Sequence, residues 1–255
     1  MLGIAKESSF VKELNVTKNR VGFRDELEDR RIYFAFKRLF DILFSALVII
    51  FLLSWLLPLL ALIIKLDSDG PVFFIQKRVG FLGRTFRCFK FRTMVVNSLC
   101  DHQQALSDDP RITRLGKFLR ITSLDELPQF FNVLLGDMSI VGPRPHMHKD
   151  NEDFGRIVTN YRLRHYVKPG ITGMAQVKGY RGPAKNFHSI FHRYQWDAFY
   201  VRNANASLDF KIIRLTVMQI AKSIFSFKRS GKKSDDSIMI ENTPGLVFAK
   251  TVSPE

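Results

Sequence analysis

Cysteine is nearly absent from this chain of 255 residues: Cys88 and Cys100 are the only two. Such a pair makes neither a disulfide framework nor a C-x-x-C site, and a reducing, cytoplasmic setting is the default. Tryptophan is as scarce, with two residues against 24 phenylalanines. A Phe-rich chain suits a lipid-facing surface and a core alike. Acidic residues are outnumbered, 24 against 39 Lys and Arg, which leaves a formal charge of +15. That excess implies anionic partners: nucleic acid, nucleotide substrates or an acidic membrane surface. No nucleic-acid-binding motif is present, so no nucleic-acid partner is expected. Internal repeats are lacking. No signal peptide opens the chain, because the apolar run comes late and follows a charged leader. His146 and His148 stand two apart, but no further Cys/His cluster has metal-ligand spacing.

The apolar run, Ile42 to Ile64, carries no charge. At about 23 residues and ~1.5 Å rise each, it is long enough to cross a bilayer. Pro58 lies inside it and is expected to kink or break the helix. Lys37 and Arg38 precede the run, while Lys65, Lys77 and Arg78 follow it, so the positive-inside rule sets no orientation. A spanning helix and a re-entrant one that bends at Pro58 both remain open. Ahead of the run, Arg24 to Arg38 interleaves dense charge with Ile32, Tyr33, Phe34 and Phe36, the pattern of an amphipathic helix at a membrane surface.

Val72 to Gln76 and Thr85 to Thr93 read as short strands joined by Gly80-Phe-Leu-Gly83. The second strand interleaves basic and aromatic residues. It reads either as a half-buried strand with a solvated basic face or as a phosphate-binding strand with Lys90 and Arg92 as candidates. Arg111, Arg114, Lys117 and Arg120 follow at helical spacing, with Leu115, Phe118 and Leu119 on another face. Ser207 to Phe227 reads as an amphipathic helix. Lys168-Pro-Gly-Ile-Thr-Gly173 is a turn-rich loop.

The basic helix leads into Asp125-Glu126, an adjacent carboxylate pair. Pro128 belongs in the first turn of a helix, and Ser123 with Glu126 fits a capping box, so a helix is expected to start near Asp125. Neighbouring helical residues do not face each other, which argues against a shared proton. The pair is therefore either a cap with its box partner, or two groups with separate tasks, one attacking and one holding a metal. Basic neighbours would attract a diphosphate.

Five motifs then occur in order: Gly70-Pro-Val-Phe-Phe-Ile-Gln-Lys-Arg-Val-Gly80, Lys90-Phe-Arg-Thr-Met94, Ser123-Leu-Asp-Glu-Leu-Pro-Gln129, Val141-Gly-Pro-Arg-Pro145 and Lys168-Pro-Gly-Ile-Thr-Gly-Met-Ala-Gln-Val177. With Lys37-Arg-Leu-Phe-Asp41 ahead of them, the chain from Phe36 to Thr216 resembles the bacterial sugar transferase family, the monotopic polyprenyl-phosphate phosphoglycosyl transferases. Each motif is weak alone; their order carries the resemblance.

The resemblance implies a small mixed α/β catalytic domain on the cytoplasmic face of the bacterial inner membrane. Residues 1–36 would be a leader, 37–66 a re-entrant membrane helix broken at Pro58, 67–227 the catalytic domain with interfacial amphipathic helices, and 228–255 a basic, mobile tail. It further implies transfer of a hexose-1-phosphate from a UDP-sugar to polyprenyl phosphate, giving polyprenyl-diphosphate-sugar and UMP and initiating exopolysaccharide assembly. Asp125 would form the covalent phosphosugar intermediate, and Glu126 would bind Mg²⁺. Lys90, Arg92, Arg120, Arg144, Pro145, Gln176, Arg181 and Asp209 fall at substrate- or phosphate-binding positions. Expected partners are the UDP-sugar, polyprenyl phosphate, inner-membrane lipid and downstream glycosyltransferases, with homodimerisation open. Two departures stand out. Leu57 replaces the serine common before the helix-breaking proline. Gly179-Tyr-Arg-Gly182 moves the arginine of a Gly-Arg pair by one place, as in some glucose-phosphate transferases. The extra N-terminal membrane helices of long members are lacking, so the short form is expected.

Overall fold

The computed structural model describes residues 30–96, 109–182 and 186–241. Most of the expected leader, the loop around residue 100 and the last part of the expected tail lie outside them.

Helix α1 (Arg31–Asp67) starts in the charged segment and runs through the uncharged one; its length and composition suffice to cross a membrane. Pro58 sits inside it, and helical backbone continues past that residue to Asp67. The expected proline break is thus not an interruption of the helix. Pro58 cannot bond the Ser54 carbonyl and its ring crowds that group. A wide π turn at Ile49–Leu53, ending beside Ser54, gives the backbone room.

Both arms of α1 rest on one domain. In the first arm, Arg38 Nη1 donates to Val133 O (2.6 Å), Asp41 Oδ1 accepts from Ile140 N (3.1 Å), and Lys37 pairs with Asp209 (2.7 Å). In the second, Leu60 and Ile64 pack with Phe91 and Leu119. Between and around these contacts Leu47, Ile50, Phe51, Trp55 and Leu62 stay exposed.

Strands β1 (Phe73–Val79) and β2 (Thr85–Phe91) form the expected hairpin, antiparallel with Gln76 opposite Cys88. Phe86 and Cys88 face the core. Lys90, two residues on, shares their side of the strand and turns inward. The solvated basic face is therefore confined to residues such as exposed Arg87.

Helix α2 (Arg114–Thr122) is capped by Thr113, whose side chain accepts from Gly116 N (2.9 Å). Gly116 lets the helix touch the backbone after β2: a Cβ there would sit 2.0 Å from Thr93 O. Gly116→Ala must push α2 away. It is expected to cost about 1–3 kcal/mol as overpacking, read as a lower melting temperature in detergent.

The remaining elements are α3 (Gln129–Leu135), β3 (Ser139–Val141), α4 (His148–Ile157), β4 (Gly170–Thr172), α5 (Met174–Val177), α6 (Phe187–Asn203) and α7 (Ala206–Glu241). β3 and β4 pair in parallel. The approach of their ends requires glycine, since a Cβ on Gly142 would lie 2.3 Å from Lys168 O. That contact joins the Gly-Pro-Arg-Pro and Lys-Pro-Gly-Ile-Thr-Gly segments. The main core gathers Phe86, Val133, Met138, Val141, Val177, Tyr200, Val201 and Ile212 from β2, α3, β3, α5, α6 and α7. The architecture is mixed α/β and mostly helical.

Candidate active site

Asp125 and Glu126 do not open a helix. They sit on a 3₁₀ turn, Leu124–Glu126, between α2 and α3. Ser123 adopts the left-handed conformation that ends α2 (φ 59°, ψ 18°). An N-cap needs extended backbone, so Ser123 cannot form the expected capping box. Its hydroxyl instead accepts from Arg181 Nη2 (3.1 Å). Pro128 stands at the N-cap of α3.

The two carboxylates have unlike surroundings. Glu126 Oε1 accepts from Lys90 Nζ (2.7 Å) and Arg144 Nη2 (2.6 Å), and Oε2 accepts from Arg144 Nη1 (3.3 Å). Burial opposes charge on Glu126, but Arg144 and Lys90 outweigh it and hold the carboxyl well below the usual range. Asp125 is also buried, yet no hydrogen bond or ion pair reaches its carboxylate among the described residues. Burial pushes its pKa up to about 6, against the pull of Lys90. The negative charge of Glu126 adds to the rise; Arg144 and Arg120 oppose it. One carboxylate is a fixed anion bound by two cations. The other is an unpaired group that titrates near neutrality.

Arg120 enters from the last turn of α2, held by Thr93 Oγ1 (2.9 Å). Lys90, Arg120, Arg144 and Arg181 thus come together around the pair, and Pro145 follows Arg144 in the same turn. Three expected residues do not join them. Arg92 closes the end of α1: it donates to Asp69 O (2.7 Å), Ile64 O (3.3 Å) and Ser68 O. Asp209 binds Tyr33 (2.8 Å), Lys37 (2.7 Å) and Tyr200 (2.7 Å), tying the start of α1 to α6 and α7. Gln176 lies buried in α5 and donates to Ile171 O (3.2 Å), while its Oε1 has no partner.

His146 and His148 form no metal centre. His146 Nδ1 meets Tyr161 OH (2.6 Å) and His148 Nε2 meets Thr85 Oγ1 (3.0 Å). No group of three or more His, Cys, Asp or Glu side chains with metal-holding geometry occurs among the described residues. Sequence reasoning also passed over Arg78 and Arg164, both of which reach the turn that carries Arg144. In so basic a chain no local pattern marks them.

The bacterial sugar transferase family matches residues 32–223. The chain belongs to that family. Among its relatives is a protein of Klebsiella pneumoniae named UDP-glucose:undecaprenyl-phosphate glucose-1-phosphate transferase, 49% identical over 189 residues, which are 74% of this chain and 40% of the relative. A Xanthomonas campestris pv. campestris protein of the same name is 46% identical over 196 residues, 75% of this chain and 40% of the relative. An exopolysaccharide production protein of Rhizobium leguminosarum bv. phaseoli is 45% identical over 188 residues, 71% of this chain and 93% of the relative. The chain therefore spans about 40% of the first two relatives and nearly all of the third. The matched region contains every element from α1 to the first half of α7, and with them the carboxylate pair and its four cations.

Proposed function

We propose that this bacterial sugar transferase moves a hexose-1-phosphate from a UDP-hexose to polyprenyl phosphate through a covalent intermediate on Asp125. The observation that carries the reading is the contrast between the two carboxylates. An unpaired, buried carboxylate makes a nucleophile, because no hydrogen bond must be broken before it attacks. A Pro-Arg-Pro arginine and a strand lysine, fixed on the neighbouring anion, are placed for the phosphates.

In the first step an Asp125 oxygen attacks the sugar-bearing phosphorus. The bond from that phosphorus to the bridging oxygen breaks, and UMP leaves with the oxygen. In the second step an oxygen of polyprenyl phosphate attacks the same phosphorus. The carboxylate–phosphorus bond breaks, Asp125 is regenerated, and polyprenyl-diphosphate-sugar departs. Arg120, Lys90 and Arg144 neutralise charge on the phosphoryl oxygens in both steps. Arg181, beside Ser123, is placed to bind the nucleotide side of the donor. The relatives from Klebsiella pneumoniae and Xanthomonas campestris are named for UDP-glucose, which makes glucose the first sugar to test.

The donor set at Glu126 fits Mg²⁺: the carboxylate is held ionised, and Oε2 carries only one long hydrogen bond. Mg²⁺ takes one or two protein carboxylates and completes its shell with water and phosphate oxygens, so a third protein ligand is not required. Bound there, it would offset the negative charge of the diphosphate.

Both arms of α1 contact one domain, which supports a helix that enters the membrane and returns to the same, cytoplasmic, face of the inner membrane. A domain on one face is poorly placed to hold both ends of a fully crossing helix. Single cysteines placed near residue 31 and near residue 67 of a cysteine-free variant should react from the same side of sealed vesicles; labelling from opposite sides would refute this topology.

The activity test is UMP release from UDP-glucose, UDP-galactose and UDP-N-acetylgalactosamine, with membrane fraction, Mg²⁺ and polyprenyl phosphate. Release with one donor is expected. Without acceptor, the intact protein should gain the mass of one hexose phosphate, mapped to Asp125 by peptide mass spectrometry. A folded protein that neither releases UMP nor gains that mass would refute the proposal.

A further inference from the structure

The Gly142–His146 turn contains Pro143 and Pro145, so two of its residues have no N–H of their own. Its last four carbonyls each accept from a different donor outside the turn. Gly170 N serves Pro143 O (3.0 Å) and Val79 N serves His146 O (3.0 Å). The two in the middle are met by guanidiniums: Arg164 Nη2 donates to Arg144 O (2.6 Å), and Arg78 Nη1 to Pro145 O (2.8 Å).

Each guanidinium is itself fixed. Asp197 Oδ2 accepts from Arg164 Nε (3.1 Å) and Nη2 (2.8 Å), with both side chains 2% exposed. Gln76 Oε1 accepts from Arg78 Nε (2.9 Å) and Nη2. Behind the turn lies a small cavity lined by Val79, Gly80, Pro143, Arg164, His165 and Val167. Directional bonds, more than packing, therefore hold the turn. Burying two cations beside a third is unfavourable, and a water or a neutral amide would satisfy a carbonyl as well. The arrangement has a rationale if the place of Arg144 matters.

The geometry points to Arg164 and Arg78 as positioning residues, which hold the Arg144 guanidinium against Glu126 and so aim it at the diphosphate. The inference rests on the sugar-phosphate transfer reading. Lysine at either position keeps the charge but lacks the fork that reaches two partners at once. Arg164→Lys is expected to lower kcat/KM for UMP release by about 10–100-fold, the scale of an ångström-sized misplacement.

A double-mutant cycle with Arg144→Met separates aiming from general support. If Arg164 acts through Arg144, Arg164→Lys should change kcat/KM by less than about twofold once Arg144 is gone. The acidic limb of the pH profile should also move upward in Arg164→Lys, as in Arg144→Met. Equal losses in both backgrounds, or no loss in the first, would overturn the inference. Should Arg164→Lys fail to fold, Arg78→Lys takes its place in the same cycle with the same expected results. A wild-type chain silent with every UDP-sugar defeats the transfer reading and the inference with it; an active wild type with additive variants defeats the inference alone.

Discussion

Asp125→Asn is expected to abolish turnover and yet make the protein more stable. Removing a nucleophile costs at least about a thousandfold in kcat, with only binding and electrostatic assistance left. The stability change follows from the raised pKa. The carboxyl titrates near 6 in the folded chain and near 3.8 in the unfolded one. Between those values the folded state binds the extra proton, so stability falls as pH rises through that window. Below about 3.8 the penalty is absent; above about 6 it is complete. The neutral amide of asparagine escapes it. At pH 8 the variant should gain about 1–3 kcal/mol, read as a higher melting temperature in detergent, and at pH 4 the gain should vanish. A variant less stable than wild type at pH 8 would mean that Asp125 has a favourable partner in the folded chain.

Lys90→Met should produce the second-largest effect, on pH dependence as well as rate. Among the charges acting on Asp125, Lys90 is the strongest that favours its ionised form. Without it the pKa rises further above 6. Activity needs the ionised carboxylate, so the acidic limb of kcat/KM should move toward neutral pH. At pH 7 the fraction ready to attack falls, and one phosphate contact is lost with it. A drop of about 10²–10³-fold in kcat/KM is expected, the size seen when one preorganised charge-stabilising group is removed. Glu126 keeps Arg144 alone, and a buried pair deprived of a partner costs about 3–5 kcal/mol. The check is a pH–rate profile from 5 to 9 beside a melting curve. An unmoved limb would show that Lys90 does not act on the attacking group.

These effects depend on details that the sequence discloses unevenly. The hairpin could be read from turn residues between alternating strands, and α2 from apolar and basic faces at helical spacing. The assembly of Lys90, Arg120 and Arg144 at the carboxylates rested on the order of five motifs, because residues 36 and 18 positions from Glu126 carry no local mark of contact with it. Ser123 misled for a physical reason: the same residue can open one helix or end another, and only the backbone conformation tells which. Arg92 and Asp209 stood in matching positions, yet their bonds here go to carbonyls at the end of α1 and to Tyr33, Lys37 and Tyr200. Partners that are main-chain carbonyls leave no signature in a sequence. Arg78 and Arg164 were hidden likewise among 39 basic residues.

The wide turn in α1 sets how an insertion or deletion would be tolerated there. Ser45 and Leu53, both buried, are eight positions apart. In a regular helix, at about 100° per residue, they would point about 80° away from each other. One extra residue taken up by the π turn brings them back to within about 20°. Losing a single residue from Ile49–Leu53 would regularise the helix and leave both arms facing the domain. Gaining one would turn the second arm, with Leu60 and Ile64, away from Phe91 and Leu119. The apolar segment can thus shorten by one residue more readily than it can lengthen, an asymmetry that indels in this stretch should follow.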